Sequence, residues 1–219
     1  KLRELANANH IPLIIDSAYG GPFPNIVFPQ VATVWDENII ICLSLSKLGL
    51  PGLRTGIVVA HEKVIRAVTA ANAILSLAPG SAGPGLVSDM VGDRSILDLS
   101  DNVIRPYYRQ RVKQAVSWVN TALEGYPCRV HTPEGAIFLW LWFEGLPITS
   151  EKLYQRLKSR GVLVIAGEHF FPGLEGEWGH RHECIRISYA QDPASVEAGI
   201  HIIGEEVARA YDSAKAKSV

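Results

Sequence analysis

The stretch "CLSLSKLGLPGLRTG", residues 42–56, places one lysine between an apolar run and a glycine-rich loop that ends in an arginine. The apolar run begins at residue 38 as "NIIICLSLS", which predicts a buried strand. A lysine beside a buried strand needs a partner or a covalent role, because desolvation lowers the pKa of an ammonium group and exposes a nucleophilic amine. Lys47 is therefore a candidate site residue rather than an ordinary solvated charge.

Two further apolar runs flank this stretch. "IPLIIDSAYG", residues 11–20, has the pattern of a buried parallel strand. "TGIVVA", residues 55–60, predicts another strand, which a helix follows from about His61 to Leu77. Strands that alternate with helices predict an α/β layer structure.

Polar side chains follow the first two of these strands. Asp16 and Tyr19 come at the end of one strand, and Lys47 comes at the end of the next. Ligands of open α/β sheets bind beyond the carboxyl ends of the strands. We therefore expect these three side chains to converge on one ligand site.

The second half of the chain predicts a different unit. The cluster "LAPGSAGPG", residues 77–85, breaks the preceding helix, and a long helical stretch that contains Pro106 then runs to about Leu123. Strand patterns and two helices follow, and Asp192 and Pro193 mark the start of the last helix. The strand patterns are "AIFLWLWF" (136–143), "GVLVIAG" (161–167) and "ECIRISYA" (183–190), with the first of the two helices introduced by Thr149 and Ser150. This part predicts a smaller α+β unit.

Composition excludes several classes of partner. The 219 residues are 47% hydrophobic, enough for one large domain or two modest ones, and 21 basic against 22 acidic residues leave no basic stripe for nucleic acid. The apolar runs are too short or too interrupted to span a membrane. Three widely spaced cysteines favour free thiols in a reducing cytosol, so we expect a cytoplasmic protein with small-molecule partners.

The opening residues "KLRELANANH", 1–10, begin without methionine and show no signal-peptide pattern. They resemble the last turns of a helix that began earlier. We therefore expect the chain to be the C-terminal part of a longer protein.

The residues around Lys47 predict a cofactor. A Walker phosphate loop needs glycines before its lysine and Ser or Thr directly after it, whereas Gly49 and Gly52 both follow Lys47. Pyridoxal 5'-phosphate needs an imine-forming lysine, an acid at its ring nitrogen, a donor to its ring oxygen and several donors to its phosphate. In the same order, these groups are Lys47, Asp16, Tyr19 and the set Ser44, Ser46 and Arg54.

The same motifs resemble a known family. "DSAY" (16–19) followed by "SLSKLGLPGLRTG" (44–56) is similar to the signature of fold-type I pyridoxal-phosphate aminotransferases of classes I and II. The resemblance continues through "PEGAIFLWLWF" (133–143), "RGVLVIAGEHFFPG" (160–173) and "CIRISYA" (184–190), so it covers nearly the whole chain.

The resemblance implies the fold and the domains. Residues 1–100 would form the C-terminal part of the large cofactor-binding domain, a mostly parallel sheet with helices. Residues 101–219 would form a connecting helix and a smaller α+β C-terminal domain. The family also implies a homodimer.

The resemblance further implies an activity and its residues. Lys47 would bind the cofactor covalently and carry a proton between the substrate and the cofactor, and Arg186 would bind the α-carboxylate of the substrate. The substrates would be an amino acid and a keto acid. The resemblance suggests L-valine and pyruvate as the pair, which would give 2-oxoisovalerate and L-alanine.

Two departures from the family limit what this chain can do alone. The loop between Lys47 and Arg54 is one residue shorter than in many class I members. The family's glycine-containing phosphate loop, ring-stacking aromatic residue and ring-oxygen asparagine come from an N-terminal part that this chain does not contain. We therefore expect a protein of these residues alone to bind cofactor weakly and to be inactive.

Other interpretations stay open at this point. Another class I or II aminotransferase, a β-lyase on the same fold, or the aminotransferase-like sensor domain of a transcription regulator would share these motifs. "HRHEC", residues 180–184, could place His180, His182 and Cys184 on one side of a strand as zinc ligands, although we assign no metal site. Trp140 and Trp142 resemble a ligand platform, and we assign them no chemistry.

Overall fold

A computed structural model of the chain describes residues 1–216. These residues form two compact units, the first spanning Lys1–Tyr107 and the second beginning at Tyr108. The sequence predicts a boundary between residues 100 and 101, a few residues earlier along the same helical region. Among the helices of residues 1–216, none combines the length and apolar content needed to cross a membrane.

The first unit contains a three-stranded sheet and four helices. Its elements, in chain order, are α1 (Leu2–Ala8), β1 (Leu13–Asp16), β2 (Ile39–Ser44), β3 (Gly56–Val59), α2 (Glu62–Ser76), α3 (Ala82–Gly92) and α4 (Ser95–Leu99). The strand order is β1-β2-β3. Alternate residues of β2, namely Ile39, Ile41 and Leu43, are buried. They pack in one apolar cluster with Leu45 and Leu48 of the turn that follows the strand.

Strand directions in this sheet follow from the lengths of the connections. β1 and β2 are parallel, with Leu13 opposite Ile39 and Asp16 opposite Cys42. β3 runs antiparallel to β2, with Ser44 opposite Gly56. Only residues 45–55 separate β2 from β3, and a parallel return needs a crossover of a dozen or more residues, so this short connection reverses the chain instead.

The helical region after residue 77 is divided into several pieces. The glycine and proline cluster ends α2, as expected, but α3 already begins at Ala82 inside that cluster. The predicted long helix is observed as α3, α4, a π-helical turn at Ser100–Ile104, and α5 (Arg105–Ala122). Pro106 has no N–H to donate to the turn before it, so the regular α-helical hydrogen bonding is interrupted next to the π-turn.

The second unit contains a four-stranded antiparallel sheet. After α5 come β4 (Cys128–Val130), β5 (Phe138–Phe143), α6 (Ser150–Ser159), β6 (Ile165–Ala166), β7 (Cys184–Ser188) and α7 (Pro193–Lys215), and the strand order is β4-β5-β7-β6. Leu139, Leu141 and Phe143 of β5 are buried, whereas the tryptophans between them are half-buried. This alternation assigns one face of the sheet to the core.

The helix starts of the second unit are as predicted, and one strand is shorter. The Thr149 side chain accepts a hydrogen bond from the Lys152 N–H at the start of α6, and Asp192 accepts one from the Ser195 N–H at the start of α7. "GVLVIAG" forms only the two-residue strand Ile165–Ala166, because the N–H groups of Gly161 and Val162 still donate to the end of α6 and a short 3₁₀ helix begins at Gly167.

Candidate active site

The carboxyl ends of β1 and β2 lie side by side. Their parallel pairing continues one residue beyond β1, where the Ser17 N–H donates to the Cys42 carbonyl at 2.8 Å. Directly before Ser17, the carboxylate of Asp16 is exposed and accepts a hydrogen bond from the Ala18 N–H at 3.0 Å. This local bond turns the chain out of the strand and leaves the second carboxylate oxygen of Asp16 available to a ligand.

A short 3₁₀ turn, Leu45–Leu48, presents Lys47. Ser44 caps this turn, since its hydroxyl accepts a hydrogen bond from the Ser46 N–H at 3.2 Å. Gly49 ends the turn with a φ of 105°, a left-handed conformation that glycine adopts without strain. Because Leu45 and Leu48 are buried while Lys47 is only partly buried, the turn is anchored in the core and its lysine points away from it.

The ammonium of Lys47 faces the ring of Tyr19. The Lys47 Nζ lies 5.3 Å from the centre of that ring, within cation–π distance. No carboxylate of residues 1–216 lies within ion-pairing distance of Lys47. The structure thus brings two of the predicted site residues together and holds the amine beside a phenol rather than in a salt bridge.

Arg54 reaches back to the same turn. Its Nη1 donates a hydrogen bond to the Ser46 Oγ at 3.3 Å. Arg54 has a φ of 46°, an uncommon left-handed conformation for a residue with a side chain. Such a conformation is worth about 1 kcal/mol or more of strain, which the surrounding structure must offset. Ser44, Ser46 and Arg54 therefore form one connected group of donors that can bind an anion.

A close approach that the sequence analysis missed fixes the end of this loop. A Cβ placed on Gly83 would lie 1.9 Å from the Oγ1 of Thr55, the residue directly after Arg54. Helix α3 can therefore begin against Thr55 only because residue 83 is glycine. The sequence cluster around Gly83 indicates a helix break, and nothing in a single sequence distinguishes a breaking glycine from one that permits close packing.

Arg186 lies in the second unit, on β7. It is opposite Trp140 of β5 and Ile165 of β6. The guanidinium carbon is 4.1 Å from the ring centre of Phe138 and 4.8 Å from that of Phe170. Neither phenylalanine was singled out from the sequence, because an aromatic residue in an apolar strand or loop pattern ordinarily indicates core packing.

Two of the three candidate zinc ligands contact each other, with the His180 Nε2 at 3.5 Å from the Cys184 Sγ, whereas His182 has another partner. His180 and His182 lie in the 3₁₀ helix Gly179–His182, outside the strand, so they do not alternate along one face with Cys184. His182 Nδ1 is 2.5 Å from a carboxylate oxygen of Glu168. Burial raises the pKa of the Cys184 thiol to about 11, so this residue is protonated at neutral pH. Within residues 1–216, no group of three or more His, Cys, Asp or Glu side chains is arranged to hold a metal ion.

Comparison with known proteins identifies the family. Residues 1–203 match the family of class I and II aminotransferases. The chain belongs to this family. Pyridoxal phosphate is the cofactor of class I and II aminotransferases, and the residues of the first unit fit it: they supply a primary amine on Lys47, a phenol and a carboxylate, together with the hydroxyl and guanidinium donors that a phosphate needs.

Individual aminotransferases match most of this chain. It is 52% identical over 211 residues to the valine–pyruvate aminotransferase of Escherichia coli K12, and the match covers 96% of this chain and 51% of that protein. A crystal structure of a valine–pyruvate aminotransferase from Salmonella typhimurium LT2 is 52% identical with a TM-score of 0.90, covering 96% of this chain and 54% of that one. The crystal structure of a putative amino-acid aminotransferase from Psychrobacter arcticum 273-4 is 50% identical with a TM-score of 0.93, and the match covers 96% of this chain and 48% of that one. The chain spans about half the length of these relatives.

Proposed function

We propose that the full-length protein containing this chain transfers the amino group of L-valine to pyruvate, giving 2-oxoisovalerate and L-alanine, with pyridoxal phosphate as its cofactor. The observation that carries the proposal is the Lys47 turn: an amine beside a phenol, with hydroxyl and guanidinium donors in the same loop. The 52% identity to a valine–pyruvate aminotransferase supports the choice of substrates.

Lys47 has two tasks in this proposal. Bound pyridoxal phosphate supplies an aldehyde that forms bonds to amines and a ring that takes up the electron pair of the substrate's Cα–H bond. The Nζ of Lys47 would hold the cofactor and would become a free amine when the substrate's own amine takes its place. That free amine would take the proton from the substrate Cα, and in the reverse half of the exchange it would return a proton to the Cα of the keto acid's carbon skeleton.

The other residues of the first unit would orient the cofactor. The Asp16 carboxylate would hold a proton at the ring nitrogen, and its exposed position at the end of β1 leaves it accessible for that role. The Tyr19 hydroxyl would donate to the ring oxygen, since its ring already lies against the Lys47 amine. Ser44, Ser46 and Arg54 would bind the phosphate with charge-assisted hydrogen bonds.

Arg186 would bind the α-carboxylate of both substrates. Its guanidinium has no carboxylate of residues 1–216 within ion-pairing distance, although the side chain is partly buried. A desolvated cation without a counter-charge favours an incoming anion, and a guanidinium can bind a carboxylate with two parallel hydrogen bonds.

We propose a division into domains, an assembly and a location as well. The first unit would be the C-terminal part of the large cofactor-binding domain, and the second unit would be the connecting helix with the small domain. A homodimer is supported by the apolar side chains Ile74, Leu75 and Leu77 at the end of α2, which are more than four-fifths exposed in this chain. The free thiols of Cys42, Cys128 and Cys184 support a cytoplasmic location. A protein of these residues alone is proposed to be inactive.

The absorbance spectrum of the full-length protein, loaded with pyridoxal phosphate, tests this function. Addition of L-valine should convert the pyridoxal band into the pyridoxamine band, and pyruvate should restore the first band. Conversion with other amino acids but not with valine would retain an aminotransferase and overturn the substrate pair. Release of ammonia and pyruvate from a β-substituted alanine, without conversion of the pyridoxal band into the pyridoxamine band, would indicate a β-lyase. A cofactor band that no amino acid converts would favour a sensor domain.

A further inference from the structure

One face of the second sheet combines aromatic rings with two arginines, Arg129 and Arg186, of which Arg129 pairs with Glu144. Phe138 and Trp140 are two residues apart on β5, so their side chains share a face, and the register places Arg186 directly opposite Trp140 on that face. The opposite face carries Leu139 and Leu141, which are buried in the core. The aromatic side chains around Arg186 therefore lie on the sheet face that is not buried in the core.

Arg186 has aromatic neighbours and no carboxylate neighbour. Its guanidinium carbon lies over two rings, 4.1 Å from the centre of Phe138 and 4.8 Å from the centre of Phe170. No carboxylate of the described residues, 1 to 216, pairs with Arg186. Rings that contact the face of a guanidinium restrict its rotation and leave the N–H groups at its edge for an anion.

The short 3₁₀ helix that carries Phe170, residues Gly167–Phe170, is held from both ends. A Cβ on Gly167 would lie 2.7 Å from the Cys184 carbonyl of β7, so only glycine lets this segment pack so closely on the strand. Next to it, the Glu168 carboxylate accepts a hydrogen bond from the Glu151 N–H at 3.0 Å, at the start of α6.

The far end of the same segment is fixed by ring packing. The Phe170 ring packs edge-to-face against Trp140 with the ring centres 5.1 Å apart. The backbone and ring contacts together hold the Phe170 ring over Arg186, even though the Phe170 side chain is more than a third exposed. A phenylalanine on an unanchored loop would not keep that position.

We propose that Phe138 and Phe170 are positioning residues for substrate binding: they hold the Arg186 guanidinium in the orientation that receives the substrate's carboxylate. The inference rests on the proposed function, because it takes the anion to be the α-carboxylate of an amino or keto acid. The two rings also exclude water from the faces of the guanidinium, which strengthens its hydrogen bonds to a carboxylate.

The test measures carboxylate binding apart from turnover. The full-length holoenzyme is titrated by calorimetry with 3-methylbutanoate, which is valine without its amino group and cannot react. Phe170→Leu should raise the dissociation constant roughly 3- to 30-fold, the range that cation–π contacts span, and Phe138→Leu should act in the same direction. Phe170→Tyr, which keeps a ring, should bind within about twofold of the unchanged protein.

Phe171→Leu is the matched control. Phe171 belongs to the same aromatic cluster, with its ring centre 6.0 Å from that of Trp140, but its ring is not within cation–π distance of Arg186. The proposal predicts little change for this variant. It is overturned if Phe170→Leu and Phe171→Leu weaken binding equally, or if Phe170→Leu binds as tightly as the unchanged protein.

Arg186→Leu separates this inference from the proposed function. If Arg186→Leu abolishes binding while Phe170→Leu has no effect, the proposed role of Arg186 stands and the positioning role of Phe170 is wrong. If Arg186→Leu leaves binding unchanged, the carboxylate binds elsewhere, and both the proposed role of Arg186 and the inference built on it are overturned. In every variant, the cofactor's absorbance band should be unchanged, because the proposal gives none of these residues a contact with the cofactor: Arg186 would bind the substrate, and the rings act through Arg186.

Discussion

Two glycines of α7 should respond in opposite ways to the same substitution. A Cβ on Gly204 would lie 2.5 Å from the carbonyl oxygen of Ala122 and 3.1 Å from its Cβ, at the end of α5. A Cβ on Gly199 would meet only a methyl carbon of Val162, at 3.9 Å, which is an ordinary contact distance. Both positions lie within the same helix, so the gain in helix propensity from alanine is the same, about 1 kcal/mol.

The difference between the two variants follows from that close contact. At Gly204 the new methyl group meets a backbone carbonyl that cannot rotate away, and overpacking of this kind costs about 3 kcal/mol, so Gly204→Ala should lower the free energy of unfolding by about 2 kcal/mol. Gly199→Ala should raise it by up to about 1 kcal/mol. The assay is thermal unfolding of the full-length protein, in which the midpoint should fall for the first variant and rise for the second. Equal stabilisation by both would show that α5 and α7 relax freely, and would refute the close-packing argument.

Two further predictions concern the phosphate donors and the thiols. Arg54→Ala should weaken pyridoxal phosphate binding by roughly 10-fold or more, because it removes a charge-assisted donor. Arg66→Ala removes only an exposed ion pair with Glu62 and should change the binding less than twofold. Equilibrium dialysis measures both affinities, and equal affinities of the two variants would contradict the prediction. Burial raises the pKa of Cys128 to about 12 and that of Cys184 to about 11, so iodoacetamide at pH 8 should leave both thiols unmodified in the folded protein and label both after unfolding, as read by mass spectrometry. Rapid labelling of the folded protein at pH 8 would contradict the burial of these thiols. Because both thiols ionise at a lower pH in the unfolded chain than in the folded protein, the free energy of unfolding should also fall as the pH rises above about 9.

The sequence predicted most of the first unit because its signals are local. The apolar run 38–46 ends in a turn, and the turn carries Lys47 with Ser44 as its cap, so strand, turn and candidate site follow from one pattern. The direction of β3 was not in that pattern. It depends on the length of the loop between residues 45 and 55, which is too short for a crossover helix.

Features that depend on contacts between distant residues could not be predicted. Gly83 against Thr55 and Gly167 against Cys184 are close approaches between segments far apart in the sequence, and each glycine resembles an ordinary loop glycine when it is examined alone. The same holds for Phe170, which becomes relevant to Arg186 only through its position over the sheet.

Family membership and local chemistry contribute separately to the account of the site. The match over residues 1–203 establishes the family, whereas the roles of Asp16, Tyr19 and Arg186 stay predictions, and Arg186→Leu tests the last of them. The contact of Lys47 with the Tyr19 ring supports the role of Tyr19, and the hydrogen bond from Arg54 to Ser46 supports their role as phosphate donors; both contacts arise from the folding of this chain, independently of the family.

The most direct test of the central claim is to locate the covalent bond between cofactor and protein. The full-length protein is loaded with pyridoxal phosphate, reduced with borohydride and digested, and the peptide that carries the added mass is sequenced by mass spectrometry. The account predicts that the label lies on Lys47, and that Lys47→Ala abolishes both the label and the absorbance band while Lys63→Ala, a change on the exposed surface of α2, leaves them unchanged. A label on any other lysine, or an unaltered band in Lys47→Ala, would contradict it.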